Sequence, residues 1–152
     1  MSVNTNILIY LNNFQKYYRQ MFKPLAQKYE FAQIEIDILL FLHNNPSHNT
    51  ARDICEMRGL AKSNVSTSLE SLRRRGVITS LADPKSRKLH RLTLAPAYEE
   101  IVNELARCQE QCFSVLTEDF SEEELAAFKS SLKHINANVL NALKNPNSSE
   151  TN

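Results

Sequence analysis

Apolar residues first recur at helical spacing from Ile7 through Leu8, Leu11, Phe14, Tyr18 and Met21 to Phe22, which predicts an amphipathic first helix limited by Pro24. The stretch Gln33–Leu42, with Ile34, Ile36, Ile38, Leu39, Phe41 and Leu42, is apolar on more than one side and stops at Asn44-Asn45-Pro46, the pattern of a buried central helix. Thr50 with Asp53 three positions on has the form of a capping box. It opens a short third helix through Ile54, Cys55 and Met57 that Gly59 can end. Val65, Leu69 and Leu72 share one face of a fourth helix within Leu60–Arg75, closed by Arg73-Arg74-Arg75 and Gly76, where terminal cations and a glycine both suit the end of a helix.

After Gly76 the period changes. Val77–Leu81 and Leu89–Leu94 read as short strands flanking Asp83-Pro84-Lys85-Ser86-Arg87-Lys88, a hairpin with a basic tip. From Pro96, acceptable at a first helical position, Tyr98, Ile101, Leu105, Cys108, Cys112 and Val115 mark a long fifth helix. Ser121 with Glu124 forms another capping box, and Phe120 can staple onto Leu125. Phe128, Leu132, Ile135, Val139 and Leu143 then carry the stripe of a sixth helix. The class is mainly α with a small β-hairpin: four helices, the hairpin, then two more helices. Residues 145–152 are polar and expected to be disordered.

A length of 152 residues suits one structural domain, and 42% hydrophobic with 23% charged residues fits a helix-rich globular chain. The longest nearly apolar stretch, Ile34–His43, is interrupted by Glu35 and Asp37 and falls far below the roughly 20 residues that cross a bilayer. The Asn-rich beginning of the chain lacks the pattern of a signal peptide, so a cytoplasmic location is expected. Cys55, Cys108 and Cys112 are an odd number, not a disulfide framework, in keeping with a reducing compartment.

The net charge of +1 hides a strong division. Residues 1–57 sum to zero, residues 58–91 carry nine Lys/Arg against Glu70 and Asp83, a local +7, and residues 92–152 carry −6. The middle segment therefore concentrates the charge that a polyanion attracts.

A short helix, a tight turn and a second helix is helix-turn-helix order, in which the second helix enters the major groove. With Val65, Leu69 and Leu72 inward, Ser63, Thr67, Glu70 and Arg74 face outward, and Asn64, Ser66 and Ser71 lie on the flanks. Small hydrogen-bonding side chains allow close approach to base edges, and asparagine can pair with adenine. An ordinary solvated face would favour Glu, Lys, Gln or Ala, the better helix formers. Lys62 opens this face. Arg74, four residues after Glu70, is placed to neutralise it. The hairpin tip brings Lys85, Arg87 and Lys88 beside the helix as a wing, with Asp83 expected to receive a salt bridge from Arg87.

The string Thr50-Ala51-Arg52-Asp53-Ile54, Gly59-Leu60-Ala61-Lys62-Ser63-Asn64-Val65-Ser66, Leu72-Arg73-Arg74-Arg75-Gly76-Val77-Ile78 and Asp83-Pro84-Lys85-Ser86-Arg87-Lys88 closely resembles the MarR family, and the helix order extends the likeness over nearly the whole chain. The resemblance implies a winged-helix transcriptional regulator, commonly a repressor, with a small-molecule effector. It further implies an obligate homodimer through the first, fifth and sixth helices, on a pseudopalindromic double-stranded DNA site. Residues 1–30 then form an N-terminal dimerisation helix, 31–95 the DNA-binding lobe and 96–144 the C-terminal dimerisation helices. The long apolar stripes independently call for a partner chain, and two-fold symmetry places half-sites about 10 base pairs apart. Two positions depart from the family pattern: Ala61 stands where a Ser or Thr cap is usual, and Ser86 where a second Asp is common.

In similar proteins an effector sits between the dimerisation helices and the lobe. Tyr10, Phe14, Tyr17, Tyr18, Ile38 and Phe41 are the candidates here, although aromatic residues at helical spacing are more often core or dimer contacts. Cys108 and Cys112, one turn apart, leave a redox-responsive regulator as an alternative, against which stands the ordinary burial of free cysteine. A winged helix used only for protein interaction is a third reading. His43, His48, His90 and His134 are scattered, so no metal or other cofactor is expected. No phosphate loop, nucleophile elbow or catalytic triad spacing is present, and an enzyme is not expected.

Overall fold

The computed structural model describes residues 3–145, with side chains from Asn6 onward. Helix α1 spans Val3–Tyr29, α2 Gln33–Asn44, α3 Ala51–Arg58 and α4 Lys62–Arg74. Strands β1 (Ile78–Asp83) and β2 (Ser86–Leu94) follow, then a single 3-10 turn at Pro96–Tyr98, α5 (Glu99–Ser114), a second 3-10 turn at Val115–Thr117 and α6 (Glu122–Lys144). The expected order of elements is present. The proposed tail from residue 146 onward lies outside the described residues.

Two expectations need correction. Pro24 does not limit α1, which continues for five more residues to Tyr29. Proline removes one backbone donor and crowds the preceding turn, at a cost of about 3 kcal/mol. Here Leu25, Ala26 and Tyr29 beyond it pack onto the core, and their burial offsets that cost. The hairpin is also longer than its apolar pattern: β1 reaches Asp83 and β2 begins at Ser86, leaving Pro84-Lys85 as the turn. Arg87 and Lys88 thus lie on a strand rather than in a loop. Both faces of this outer part are exposed, so no alternation reveals it in sequence.

The chain packs as two compact units, one through Cys112 and one from Phe113. The core of the first is built around α2, whose Ile36, Ile38, Leu39, Leu40, Phe41 and Leu42 are all buried, as its two-sided pattern requires. Phe22 of α1, Ile54 of α3, Val65, Leu69 and Leu72 of α4, Ile78 and Leu92 of the hairpin, and Leu105, Cys108 and Cys112 of α5 complete it. The division therefore falls inside α5, because three of its stripe residues share the core of the winged-helix segment. In the second unit α6 starts at a complete capping box, Ser121 with Glu124, and buries none of its residues. Phe120 meets the ring of Phe128 edge-on at 5.8 Å. No helix among the described residues is long and apolar enough to cross a membrane.

Candidate nucleic-acid interface

Local chemistry sets the turn between α3 and α4. Thr50 Oγ1 accepts from the Asp53 N–H at 3.1 Å while the Asp53 carboxylate accepts from the Thr50 N–H at 3.1 Å, so both donors at the start of α3 are satisfied. Gly59 ends α3 with φ of 64°, a left-handed conformation that glycine adopts without a Cβ penalty, and α4 begins three residues later. Ala61 caps α4 with no side-chain hydrogen bond, leaving the first-turn N–H groups open to an external acceptor such as phosphate. At the far end Gly76, φ 70°, lets the Val77 N–H return to the Leu72 carbonyl at 2.9 Å and directs the chain into β1.

With Val65, Ser68, Leu69 and Leu72 buried, α4 turns Lys62, Ser63, Asn64, Ser66, Thr67 and Arg74 to solvent. Among the described residues the side chains of Ser63, Asn64, Ser66, Lys62 and Arg74 make no intramolecular hydrogen bond. Thr67 instead donates its hydroxyl proton to the Ser63 carbonyl at 3.0 Å, so it presents a methyl group and an acceptor oxygen. Glu70 pairs with Arg73, Nη2 to Oε2 at 2.5 Å, and not with Arg74 as its spacing suggested. Either spacing joins neighbours on a helix, so the choice was open in sequence.

The wing is positioned by Asn49, between α2 and α3. Its carbonyl accepts from the Leu92 N–H at 2.8 Å, its Nδ2 donates to the Leu92 carbonyl at 3.2 Å, and its Oδ1 accepts from Arg91 Nη1 at 3.1 Å. Asp83 accepts from Arg91 Nε at 2.9 Å and from the Lys85 N–H at 2.8 Å; the expected pair with Arg87 does not form. The reason is register. His90 lies opposite Ala82 but Ser86 opposite Asp83, so Arg87, Lys88 and Leu89 are bulged out of the ladder and Arg91 becomes the cation nearest Asp83. Lys85, Arg87 and Lys88 are consequently exposed, with no ion pair among the described residues. All nine sequence-selected residues thus lie on the exposed surface of α4 and the wing.

Arg91, and the backbone of Lys85, hold the Asp83 carboxyl below its ordinary 3.8. A depressed carboxylate contributes order above its ordinary value and loses it as pH falls through the lowered one. The Lys85 amide signal should therefore titrate with a midpoint below 3.8, and Asp83→Asn should abolish that titration. A midpoint at or above 3.8 would mean the contact is not made in solution.

Between α3, α4 and the wing lies a cavity of about 560 Å³, a feature the sequence did not reveal because its walls come from four elements. Ala51, Cys55, Val65, Leu69 and Leu92 give it apolar walls; Arg52, Glu56, Lys62, Arg73 and His90 stand around it, with Arg52 paired to Glu56 and Arg73 to Glu70. The residues proposed from the sequence as an effector site lie elsewhere. Tyr10 is exposed, Ile38 and Phe41 are in the core, and neither this cavity nor the groove described below is lined by them. Phe14, Tyr18 and Phe22 form a tilted ring series at 6.0 and 4.7 Å. Tyr18, half-buried like Tyr17, accepts from Gln109 Nε2 at 3.0 Å, and burial raises its hydroxyl to about 12. Cys108 and Cys112 are buried; burial raises both thiols, Cys112 to about 11, which disfavours the reactive thiolate.

The sequence model of the MarR family matches residues 31–89, the span from α2 to the wing. Over that span the chain is similar to a MarR-family winged helix. Solved structures extend the likeness in fold to nearly the whole chain. MarR itself aligns at 17% identity and a TM-score of 0.71, covering 95% of each chain. MepR from S. aureus, in complex with DNA, gives 16% identity and 0.71 over 91% of this chain and 96% of that one. BpsR from Bordetella bronchiseptica, whose DNA binding is regulated by 6-hydroxynicotinic acid, gives 17% and 0.66 over 86% and 98%. No curated protein sequence matches the chain. MarR-family proteins are DNA-binding transcription regulators and generally not enzymes.

Proposed function

We propose that this MarR-type chain is a cytoplasmic, sequence-specific regulator of transcription, acting as a homodimeric repressor on a pseudopalindromic duplex and released by a small-molecule effector. The observation that carries the reading is the surface of α4 and the wing: unpaired Ser63, Asn64 and Ser66 flanked by unpaired Lys62, Arg74, Lys85, Arg87 and Lys88, within a segment of charge +7. Small polar groups suit base edges, and the cations suit the two flanking phosphate backbones. Exposed apolar residues on α1, including Ile7, Leu8 and Leu11, and on α6, including Leu132, Ile135 and Val139, support dimerisation through α1 and α6, whereas the expected stripe of α5 is buried in the subunit's own core and, among the described residues, leaves only Phe113 exposed for a partner. Within the second unit a groove of about 410 Å³ lined by Phe113, Leu116, Leu125, Phe128 and Leu132 adds to that apolar surface.

Of the two places for an effector, the aromatic series on α1 and the cavity beside α4, the cavity is the better supported. Its apolar walls and Lys62, which has no ion pair among the described residues, suit a small apolar carboxylate, and Lys62 and Ser66 are shared between it and the DNA-facing surface. Occupation there would compete directly with DNA.

Titration with a duplex selected from random sequence tests the whole reading. Arg87→Ala should weaken all duplexes and reduce the slope of log affinity against log salt by about 1, whereas Asn64→Ala should change the preferred sequence, by about 1–3 kcal/mol at the contacted base pair. Benzoate, as a probe carboxylate, should lower duplex affinity in wild type and lose that effect in a cavity-filling Ala51→Phe chain. Salt-independent binding, or an Asn64→Ala loss equal on every sequence, contradicts the assignment of these residues. Benzoate indifference contradicts the effector site alone.

A further inference from the structure

Arg75 belongs to the same cationic run as Arg73 and Arg74, yet its side chain turns away from the DNA-facing surface. Its Nη1 donates to the Glu30 carbonyl and its Nη2 to the Tyr29 carbonyl, both at 2.9 Å. Nη1 also lies 3.6 Å from Oε2 of the buried Glu35, and the guanidinium stands 4.5 Å over the ring of Phe31. These partners are the last turn of α1 and the first turn of α2. Meanwhile the Arg75 carbonyl accepts from the Tyr98 hydroxyl at 3.2 Å, just before α5.

The junction that receives the guanidinium is itself unusual. Glu30 has φ of 55°, and the Phe31 N–H reaches back to the Ala26 carbonyl at 3.0 Å, so α1 ends in a Schellman turn with glutamate where glycine is preferred. Arg75 binds the open carbonyls of that turn at the negative end of the α1 dipole. On the other side Tyr29 donates its hydroxyl to Glu104 of α5, and Lys28 pairs with the same carboxylate at 3.0 Å. One turn of α1 thus holds α5 by its side chains and the end of α4 by its carbonyls.

We propose that Arg75 is a positioning residue for DNA reading: its fork of donors fixes the C-terminal end of α4 on the α1–α2 junction and so sets the angle at which the reading face meets the groove. This rests on the DNA-binding reading above. A planar, bidentate guanidinium stacked on a ring cannot be replaced by the point charge of lysine. Arg75→Lys is therefore the informative variant, since it keeps the charge and removes the fork.

At a temperature where circular dichroism shows the variants folded, Arg75→Lys and Arg75→Ala should both bind the selected duplex about tenfold or more weakly, the loss expected when a charged hydrogen-bond pair is broken. Their salt slopes should stay at the wild-type value, while Arg74→Ala lowers the slope by about 1. Amide exchange should accelerate at Phe31 and Val77 in Arg75→Lys. Wild-type affinity in Arg75→Lys, a lowered salt slope in Arg75→Ala, or unchanged exchange each overturns the clamp. A wild-type chain that binds no duplex sinks the DNA reading and this role together, whereas wild-type binding with an indifferent Arg75→Lys sinks the clamp alone.

Discussion

Leu72→Ala should lower the unfolding free energy by about 2–5 kcal/mol, a large share of the 5–15 kcal/mol typical of a native chain. Leu72 is fully buried on α4 within the core built around α2, so truncation leaves a cavity that the surrounding side chains can only partly fill. The same residue's carbonyl receives the Val77 N–H where the chain leaves α4 for the wing. Loosening at this point should therefore reach both halves of the proposed DNA surface. Urea denaturation followed by circular dichroism at one fixed protein concentration measures the effect, because the stability of a dimer depends on concentration. Thr67→Ala, on the exposed side of the same helix, should move the midpoint far less. Equal midpoints for Leu72→Ala and wild type would place the wrong face of α4 inside.

That helix face was legible in sequence because it depends only on local periodicity. The same is true of the capping boxes at Thr50 and Ser121 and of the left-handed exits at Gly59 and Gly76, each decided within a few residues. Local rules failed where distant packing intervened. Pro24 ends a helix by its own chemistry, but Leu25, Ala26 and Tyr29 belong to a core assembled from α2 and beyond. The choice of Arg91 over Arg87 for Asp83 depends on a bulge that shifts the register between strands, which no spacing rule anticipates. Among Arg73, Arg74 and Arg75 the spacing points to Arg74 as the partner of Glu70 and says nothing of Arg75. Only the fold assigns one to Glu70, one to solvent and one to the end of α1. The cavity beside α4 was hidden for the same reason, its walls being drawn from positions 51 to 92.

Ile135→Glu should convert the protein to a monomer and reduce affinity for a full two-half-site duplex by about 10²–10⁴, the usual gain from joining two binding modules. Ile135 is 58% exposed in the single chain, with Leu132 and Val139 also exposed one turn away on either side. A glutamate there meets only water in the isolated subunit, so helicity and the lobe's fold should persist. In a dimer that covers this stripe, two carboxylates enter an apolar contact and their desolvation opposes association. Sedimentation velocity reads the assembly, and titration with full and single half-sites reads its consequence. Wild type should prefer the full site, with half-sites about 10 base pairs apart, whereas Ile135→Glu should bind both with the affinity of one lobe. A variant that still sediments as a dimer would remove α6 from the interface. A wild type that sediments as a monomer at micromolar concentration would leave the exposed stripes of α1 and α6 without the partner their chemistry demands.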